Sequence, residues 1–142
     1  MSNFFVGKCY LFNQTRSKYL LVKNSADGIG RHDMILGEKG QDQNLFEKWE
    51  IKGTSNDFII SSVDLNVNVS WIYSSPNARA VAAEDIPYIT PTIHMLAEDK
   101  DDGIAIGYVG GPSYLGGLDG YDIDYAWFVL GQSDIWQIMP IM

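Results

Sequence analysis

The chain has 142 residues, of which 46% are hydrophobic and 20% are charged, so it is long and apolar enough to form one domain with its own core. Its formal net charge of −8 at pH 7 repels phosphate backbones and anionic lipid, which argues against nucleic acid and membranes as partners. The single cysteine, Cys9, excludes an internal disulfide and a thiolate metal cluster.

The N-terminal residues give an expectation about localisation. Residues 1–8 lack the basic stretch and the long apolar stretch that mark a secretory signal. No apolar run approaches the roughly 20 residues that span a bilayer. We therefore expect a cytoplasmic protein, or one exported without a conventional signal, that does not insert into membranes.

The predicted elements are all β-strands. No window sustains the helical period, and the apolar segments are short, β-branched or aromatic, and separated by turn-forming residues. In chain order, the first four strands are predicted at 9–13, 19–23, 34–38 and 48–51. The next four are predicted at 58–62, 69–73, 80–84 and 93–96. The last four are predicted at 104–108, 114–118, 127–131 and 136–139.

These twelve strands form three imperfect copies of a four-strand unit, at about 5–53, 54–99 and 100–142. A period of roughly 45 residues is typical of repeat architectures. One copy cannot bury its own apolar face, but three around a pseudo-threefold axis can close and cap a barrel. Trp49 and Trp136 occupy the same place on the closing strands, and His94 takes that place in the middle block, so we predict that all three lie in the core. The alternative architecture is a β-sandwich or another barrel.

The sequence gives no sign of catalysis. Neither His32 nor His94 has a spacing that would place it beside a nucleophile. Asp122 and Asp124 alternate near Asp119, a pattern more typical of a solvated strand than of paired catalytic carboxylates. We therefore predict that the protein is not an enzyme and requires no cofactor.

Two loop segments have the composition of a ligand site without its motif. The acidic segment 98–103 lacks the spacing of an EF-hand and its closing glutamate. The glycine-rich segment 110–117 lacks the ending of a phosphate-binding loop. We interpret both as turns, and we predict no metal site.

The repeat pattern resembles the β-trefoil, and its first block resembles the ricin-B-type lectins, including small fungal ones. The first block opens with segments 6–13, 17–20 and 24–28, and segments 46–51 and 133–138 are similar to the Gln-any-Trp closure of those lectins. The glutamine itself is replaced, by Glu47, Thr92 and Asp134. The aspartate that usually grips the sugar is replaced by Leu21 and Gly116.

The resemblance implies a lectin-like module that binds a glycan or glycoprotein. A sugar site needs a carboxylate or amide for hydroxyl groups and an aromatic face for the ring. The candidate residues in the first block are Asp27, Gly28, His32 and Asn44. Those in the third block are Asp119, Tyr121, Asp122 and Trp127, with Tyr114 as another aromatic platform. Asp and Asn also form turns, so an ordinary loop is the competing interpretation.

Two other functions remain open on the same fold. The layout is similar to that of fungal trefoil peptidase inhibitors (mycocypin-like), which would use Lys23 or Arg31 in the loop 23–32, or Asn66 for an asparagine-specific peptidase. A lectin-like chain without sugar binding could instead be the companion subunit of an enzyme. Either function implies a protein partner.

Overall fold

The computed structural model describes residues 3–40, 42–74, 76–120 and 124–141, with Ser74 described for its main chain only. In this part of the chain the regular elements are thirteen β-strands. The first five are β1 Gly7–Asn13, β2 Lys18–Lys23, β3 His32–Gly37, β4 Leu45–Phe46 and β5 Trp49–Thr54. The next four are β6 Asp57–Ser62, β7 Asn68–Ser74, β8 Asn77–Ala83 and β9 Met95–Lys100. The last four are β10 Gly103–Tyr108, β11 Ser113–Gly116, β12 Trp127–Leu130 and β13 Trp136–Pro140.

Six of these strands close a barrel. Antiparallel pairs join β1 to β5, β5 to β6, β6 to β9, β9 to β10, β10 to β13, and β13 back to β1. Closing the sheet on itself removes the free edges that would otherwise pair with another chain. The barrel strands are the first and last strands of the three blocks β1–β5, β6–β9 and β10–β13.

Three hairpins cap one end of this barrel. They are β2–β3, β7–β8 and β11–β12, one from each block. Each hairpin also touches the next, through β3 with β8, β8 with β12, and an isolated bridge between Ile35 and Tyr125. A closed six-strand barrel with three cyclically related hairpins is a β-trefoil, so the predicted fold is confirmed. The extra strand, β4, is a two-residue pairing with β2 in the first block.

The core lies where the barrel meets the cap. Trp49 and Trp136 are fully buried, and their indole Nε1 atoms donate to the carbonyl oxygens of Leu20 and Leu115, both at 2.9 Å. These two bonds are equivalent under the pseudo-threefold symmetry. Cys9 on β1 pairs with Trp49 on β5 in the strand register, and its thiol is likewise buried.

The prediction that His94 lies in the core was wrong. Met95 pairs with Phe58 as Trp49 pairs with Cys9, so Met95 takes the tryptophan position and is fully buried. His94 stands one residue earlier on the outward face, and more than half of its side chain is exposed. Because adjacent residues of a strand point to opposite faces, a one-residue shift in register exchanges core for surface.

The described residues contain no helix with the length and apolarity that crossing a membrane would require.

Candidate functional site

In the first block, Asp27 organises the loop between β2 and β3. Its Oδ1 accepts hydrogen bonds from the amides of Ile29 at 3.0 Å and Arg31 at 2.9 Å, and its Oδ2 accepts one from Arg31 Nε at 2.6 Å. These bonds, led by the one from the Arg31 amide, lower the pKa of Asp27 to about 2. The carboxylate is therefore ionised and largely committed to its own loop.

The other first-block candidates lie at the base of that loop. His32 Nδ1 is 2.9 Å from the carbonyl oxygen of Lys23, and the amide of the following residue, Asn24, donates to the carbonyl oxygen of Asn44 at 2.9 Å. The strand ends thus bring His32 and Asn44 to the same place. Gly28 lies at the exposed tip with Asp27.

Of the residues named for peptidase inhibition, Arg31 and Asn66 lie in links between strands and Lys23 lies on β2. The Arg31 side chain is paired with Asp27. Asn66 has a φ of 53° in the tight link between β6 and β7, where its amide donates to the carbonyl oxygen of Ser62 at 2.9 Å. Lys23 is half-buried at the end of β2.

In the third block, a network centred on Arg16 fills the region of the candidate site. Asp134 is 3% exposed, and its Oδ2 accepts from Arg16 Nε at 2.9 Å, Asn13 Nδ2 at 2.8 Å and the Gly117 amide at 2.9 Å. Arg16 also donates to Asp119 Oδ1 at 2.8 Å. Burial opposes the charge of Arg16, but the bonds to Asp119 and Asp134 outweigh it and raise the Arg16 pKa. We call these residues the Arg16 network.

The Arg16 network also explains the adjacent glycines. A Cβ on Gly116 would lie 2.7 Å from Asp134 Oδ2, and one on Gly117 would lie 2.4 Å from Arg16 Nε. A side chain at either position would therefore displace part of the Arg16 network. The carboxylate of Asp134 lies at the place where a ricin-B-type lectin would carry its aspartate. The equivalent residues of the other blocks, Leu21 and Ser70, are also buried.

The remaining third-block candidates are separated from one another or lie beyond what the structure describes. Trp127 is half-buried on β12, opposite Gly116 in the strand register. The Tyr114 hydroxyl donates to Glu98 at 3.2 Å, which raises the Tyr114 pKa. Tyr121 and Asp122 lie outside the described residues.

A groove lined by aromatic side chains lies between the second and third blocks. Trp71 on β7 packs against Tyr108 of β10 with ring centroids 4.6 Å apart, and against Tyr73 at 6.3 Å. The far wall comes from the link between β10 and β11 and from Leu130. The groove encloses about 340 Å³, within the roughly 300–1,000 Å³ range of small-molecule sites. We call it the aromatic groove.

The described lining of the aromatic groove is uncharged. Its described side chains are aromatic, aliphatic, proline or serine, and the hydroxyl groups come from Tyr73, Tyr108 and Ser113. The Tyr108 ring lies over Gly110, where an added Cβ would be 2.5 Å from the Tyr108 hydroxyl oxygen. The groove therefore combines flat apolar faces with a few hydroxyl groups.

The groove is open because of a missing side chain. In each block one pair of residues joins the first strand to the second, with the same spacing along the chain. These equivalent pairs are Phe12–Tyr19, Ser61–Asn68 and Gly107–Tyr114. This register makes Arg16, Leu65 and Gly111 equivalent. Arg16 lies against Gly117, and Leu65 packs against the core cluster, whereas Gly111 has no side chain to occupy its junction.

The remaining polar groups offer little chemistry. His94 Nδ1 is 2.7 Å from Asp57 Oδ1, and this pair lies exposed on the barrel surface. Burial, and then the charge of Glu50, raise the pKa of Cys9 to about 12, so this thiol is not a nucleophile at neutral pH. In the described ranges, no three His, Cys, Asp or Glu side chains are arranged to hold a metal ion.

The sequence interpretation missed the aromatic groove. The sequence pattern predicts Trp71 and Tyr73 only as strand residues, and it predicts residues 110–113 only as part of a glycine-rich turn. Aligning the three blocks in the correct register places Gly111 at the position of Arg16 and Leu65. A glycine at a position that carries a large side chain in the other two blocks would have indicated the open groove.

Comparisons with known proteins support the fold. No family model matches the sequence, and no curated protein matches it. Among solved structures, a Culex quinquefasciatus salivary protein of the cysteine- and tryptophan-rich (CWRC) family aligns with a TM-score of 0.74 at 16% identity, covering 97% of this chain and 95% of that one. The Rhizoctonia solani agglutinin aligns with a TM-score of 0.75 at 14% identity, covering 97% of each chain.

A designed protein shows the same symmetry. ThreeFoil, described as a designed 3-fold symmetric protein, aligns with a TM-score of 0.74 at 12% identity, covering 95% of this chain and 99% of that one. At these identities the similarity establishes the β-trefoil fold alone. The ligands and partners of this chain must be argued from its own residues.

Proposed function

We propose that the chain is a non-catalytic carbohydrate-binding module and that the sugar lies in the aromatic groove. The observation that carries this proposal is the open aromatic surface formed by Trp71, Tyr73 and Tyr108. The fold that the chain shares with an agglutinin is consistent with it.

The chemistry of the groove suits a pyranose ring. One face of such a ring carries C–H groups, which pack on an aromatic face, while its hydroxyl groups need donors and acceptors at the rim. The groove offers the rings of Trp71 and Tyr73 for the first purpose and the hydroxyls of Tyr73, Tyr108 and Ser113 for the second. The lining residues that the structure describes include no carboxylate or imidazole to act as a general acid or base, which favours binding over hydrolysis.

The first-block candidates are the alternative location for the sugar. Asp27 holds its own loop, but His32 and Asn44 lie together at the loop base, and Asn44 is exposed. The aromatic groove is the better supported location.

The test is a glycan array followed by a titration with the strongest ligand. Tyr73 is 68% exposed, so Tyr73→Ala removes aromatic surface with little effect on the core. We expect it to weaken binding about tenfold, which corresponds to ~1.4 kcal/mol. The intrinsic fluorescence of Trp71 should change on binding, and Trp71→Phe should abolish that change.

The matched control is Tyr88→Ala. Tyr88 is an exposed tyrosine beyond the opposite end of the β7–β8 hairpin, outside the groove lining. Binding should be the same in this variant as in the unaltered chain. An array without a single hit on correctly folded protein would refute the carbohydrate-binding proposal.

A further inference from the structure

We infer that the aromatic groove is the one sugar site of this chain and that it accepts an uncharged sugar, so that a single chain is monovalent. This inference rests on the proposed function and adds the number of sites and the ligand class. The three junctions between neighbouring blocks differ in the side chains that occupy them, and the inference is drawn from those differences.

The junction between the third and first blocks is filled. Arg16 lies across Gly117 there, with its guanidinium held by the carboxylates of Asp134 and Asp119. The residues equivalent to Trp71 and Tyr108 are Gly117 and Asn13, so these two positions carry no aromatic ring at this junction. The Asn13 amide is itself bonded to Asp134 at 2.8 Å.

The junction between the first and second blocks is also filled. Leu65 packs against the core cluster at the position of Arg16 and Gly111. The residues equivalent to Trp71 and Tyr108 are Val22 and Ser62, both buried. Among the residues that the structure describes, only the junction between the second and third blocks therefore combines an aromatic face with an empty position.

The ligand class follows from charge. Among its described residues the groove lining has no Lys or Arg, which are the side chains that pair with sialic acids, uronic acids and sulfated sugars. The chain around it has a net charge of −8, so an anionic sugar approaches against repulsion. A neutral sugar needs no cationic side chain and is not repelled by the net negative charge, so its binding should be insensitive to salt.

The experiment tests Gly111, the residue that leaves the groove open. Its φ lies outside the left-handed region, and a Cβ would meet Tyr108 Cδ2 at 3.7 Å, an ordinary contact, so a side chain can be added without straining the backbone. Gly111→Leu reproduces the leucine of the second block. It should weaken binding by about 100-fold or more, because the new side chain takes the place of the sugar ring.

A control variant, the glycan preference and the binding stoichiometry test whether the groove is the one site and whether its ligand is uncharged. Thr54→Leu adds the same side chain at an exposed neutral position on the β5–β6 hairpin and should leave binding unchanged. The array should carry each neutral glycan beside its sialylated or sulfated form, and the hits should be the neutral members. Calorimetry with the strongest neutral oligosaccharide should give one site per chain, and the monomer should not agglutinate coated beads.

Several results would overturn the inference. A stoichiometry of two or three, a preference for the anionic glycans, or full binding by folded Gly111→Leu would each do so while leaving carbohydrate binding itself in place. An array without hits would instead remove the proposed function. The stoichiometry and the glycan preference are measured on the unaltered chain, so they decide the question even if Gly111→Leu fails to fold.

Discussion

At the scale of one residue, the carboxylate of Asp27 stabilises its own loop and has little capacity left to bind a ligand. Its carboxylate is held by the Ile29 and Arg31 amides and by the Arg31 guanidinium. Since its pKa of about 2 lies below the value of about 3.9 in an unfolded chain, these contacts stabilise the fold fully above pH 4. Their contribution is lost as the pH falls towards 2.

A titration followed by NMR tests this pH dependence. The Asp27 carboxyl carbon and the Arg31 amide should titrate together near pH 2. Asp27→Asn should remove the change at the Arg31 amide, because an amide side chain does not titrate in this range. An Asp27 that titrates near pH 4 would show that the loop bonds do not form in solution.

Arg16 contributes more to the free energy of unfolding than an exposed ion pair does, because its partner Asp134 is buried. Arg16→Ala leaves the carboxylate of Asp134 in the protein interior with Asn13 and Gly117 as its described donors. Removing one member of a buried pair is strongly destabilising, and with Arg16 partly exposed we expect a loss of about 2–4 kcal/mol in the free energy of unfolding. Urea denaturation measures this loss.

An exposed ion pair supplies the comparison for Arg16. Lys18 pairs with Asp124 on the surface, and Lys18→Ala should cost no more than about 1 kcal/mol. Adding Asp134→Asn to the Arg16→Ala variant should recover part of the loss, since it removes the unpaired charge. Equal losses for Arg16→Ala and Lys18→Ala would mean that the network contributes no more than a surface pair.

At the scale of one element, the link between β8 and β9 contains a strained turn. The Ile89 amide donates to the carbonyl oxygen of Ile86 at 3.1 Å, and Tyr88 has a φ of 67° with its side chain fully exposed. With Pro87 before it, this is a type II turn, whose third position favours glycine. The Thr90 hydroxyl donates to the carbonyl oxygen of Glu84 at 2.6 Å and braces the base of the turn.

Two substitutions at position 88 separate backbone strain from loss of the side chain. Tyr88→Gly should be more stable than Tyr88→Ala by about 1 kcal/mol, because alanine retains the Cβ that disfavours positive φ. Chemical denaturation of the two variants gives this difference. Equal stability of the two, or a more stable alanine variant, would show that the turn carries no such strain in solution.

The strands could be predicted from the sequence because their apolar, β-branched and aromatic runs are local signals. The register of the middle closing strand could not, since His94 and Met95 are adjacent and either fits the tryptophan position by spacing alone. The pairing of Met95 with Phe58, which fixes the register, joins residues far apart in the chain.

At the scale of the whole molecule, the three-block organisation was predictable but the aromatic groove was not. The blocks repeat a pattern, whereas the groove arises where the second and third blocks meet and depends on Gly111 lacking a side chain. Trp71 and Tyr108 belong to different blocks, and neither is distinctive alone. A site made by unequal copies becomes visible only when the copies are compared position by position in the folded register.

The buried position of Cys9 has a practical consequence for labelling. Because its thiol is enclosed at the barrel end and has a pKa of about 12, maleimide and disulfide reagents that need a thiolate should leave it untouched in the folded chain. A cysteine introduced at the exposed Thr54 would then be the sole reactive thiol, since the sequence contains no other. Fluorophores, spin labels or surface tethers can be attached there without first replacing the native residue.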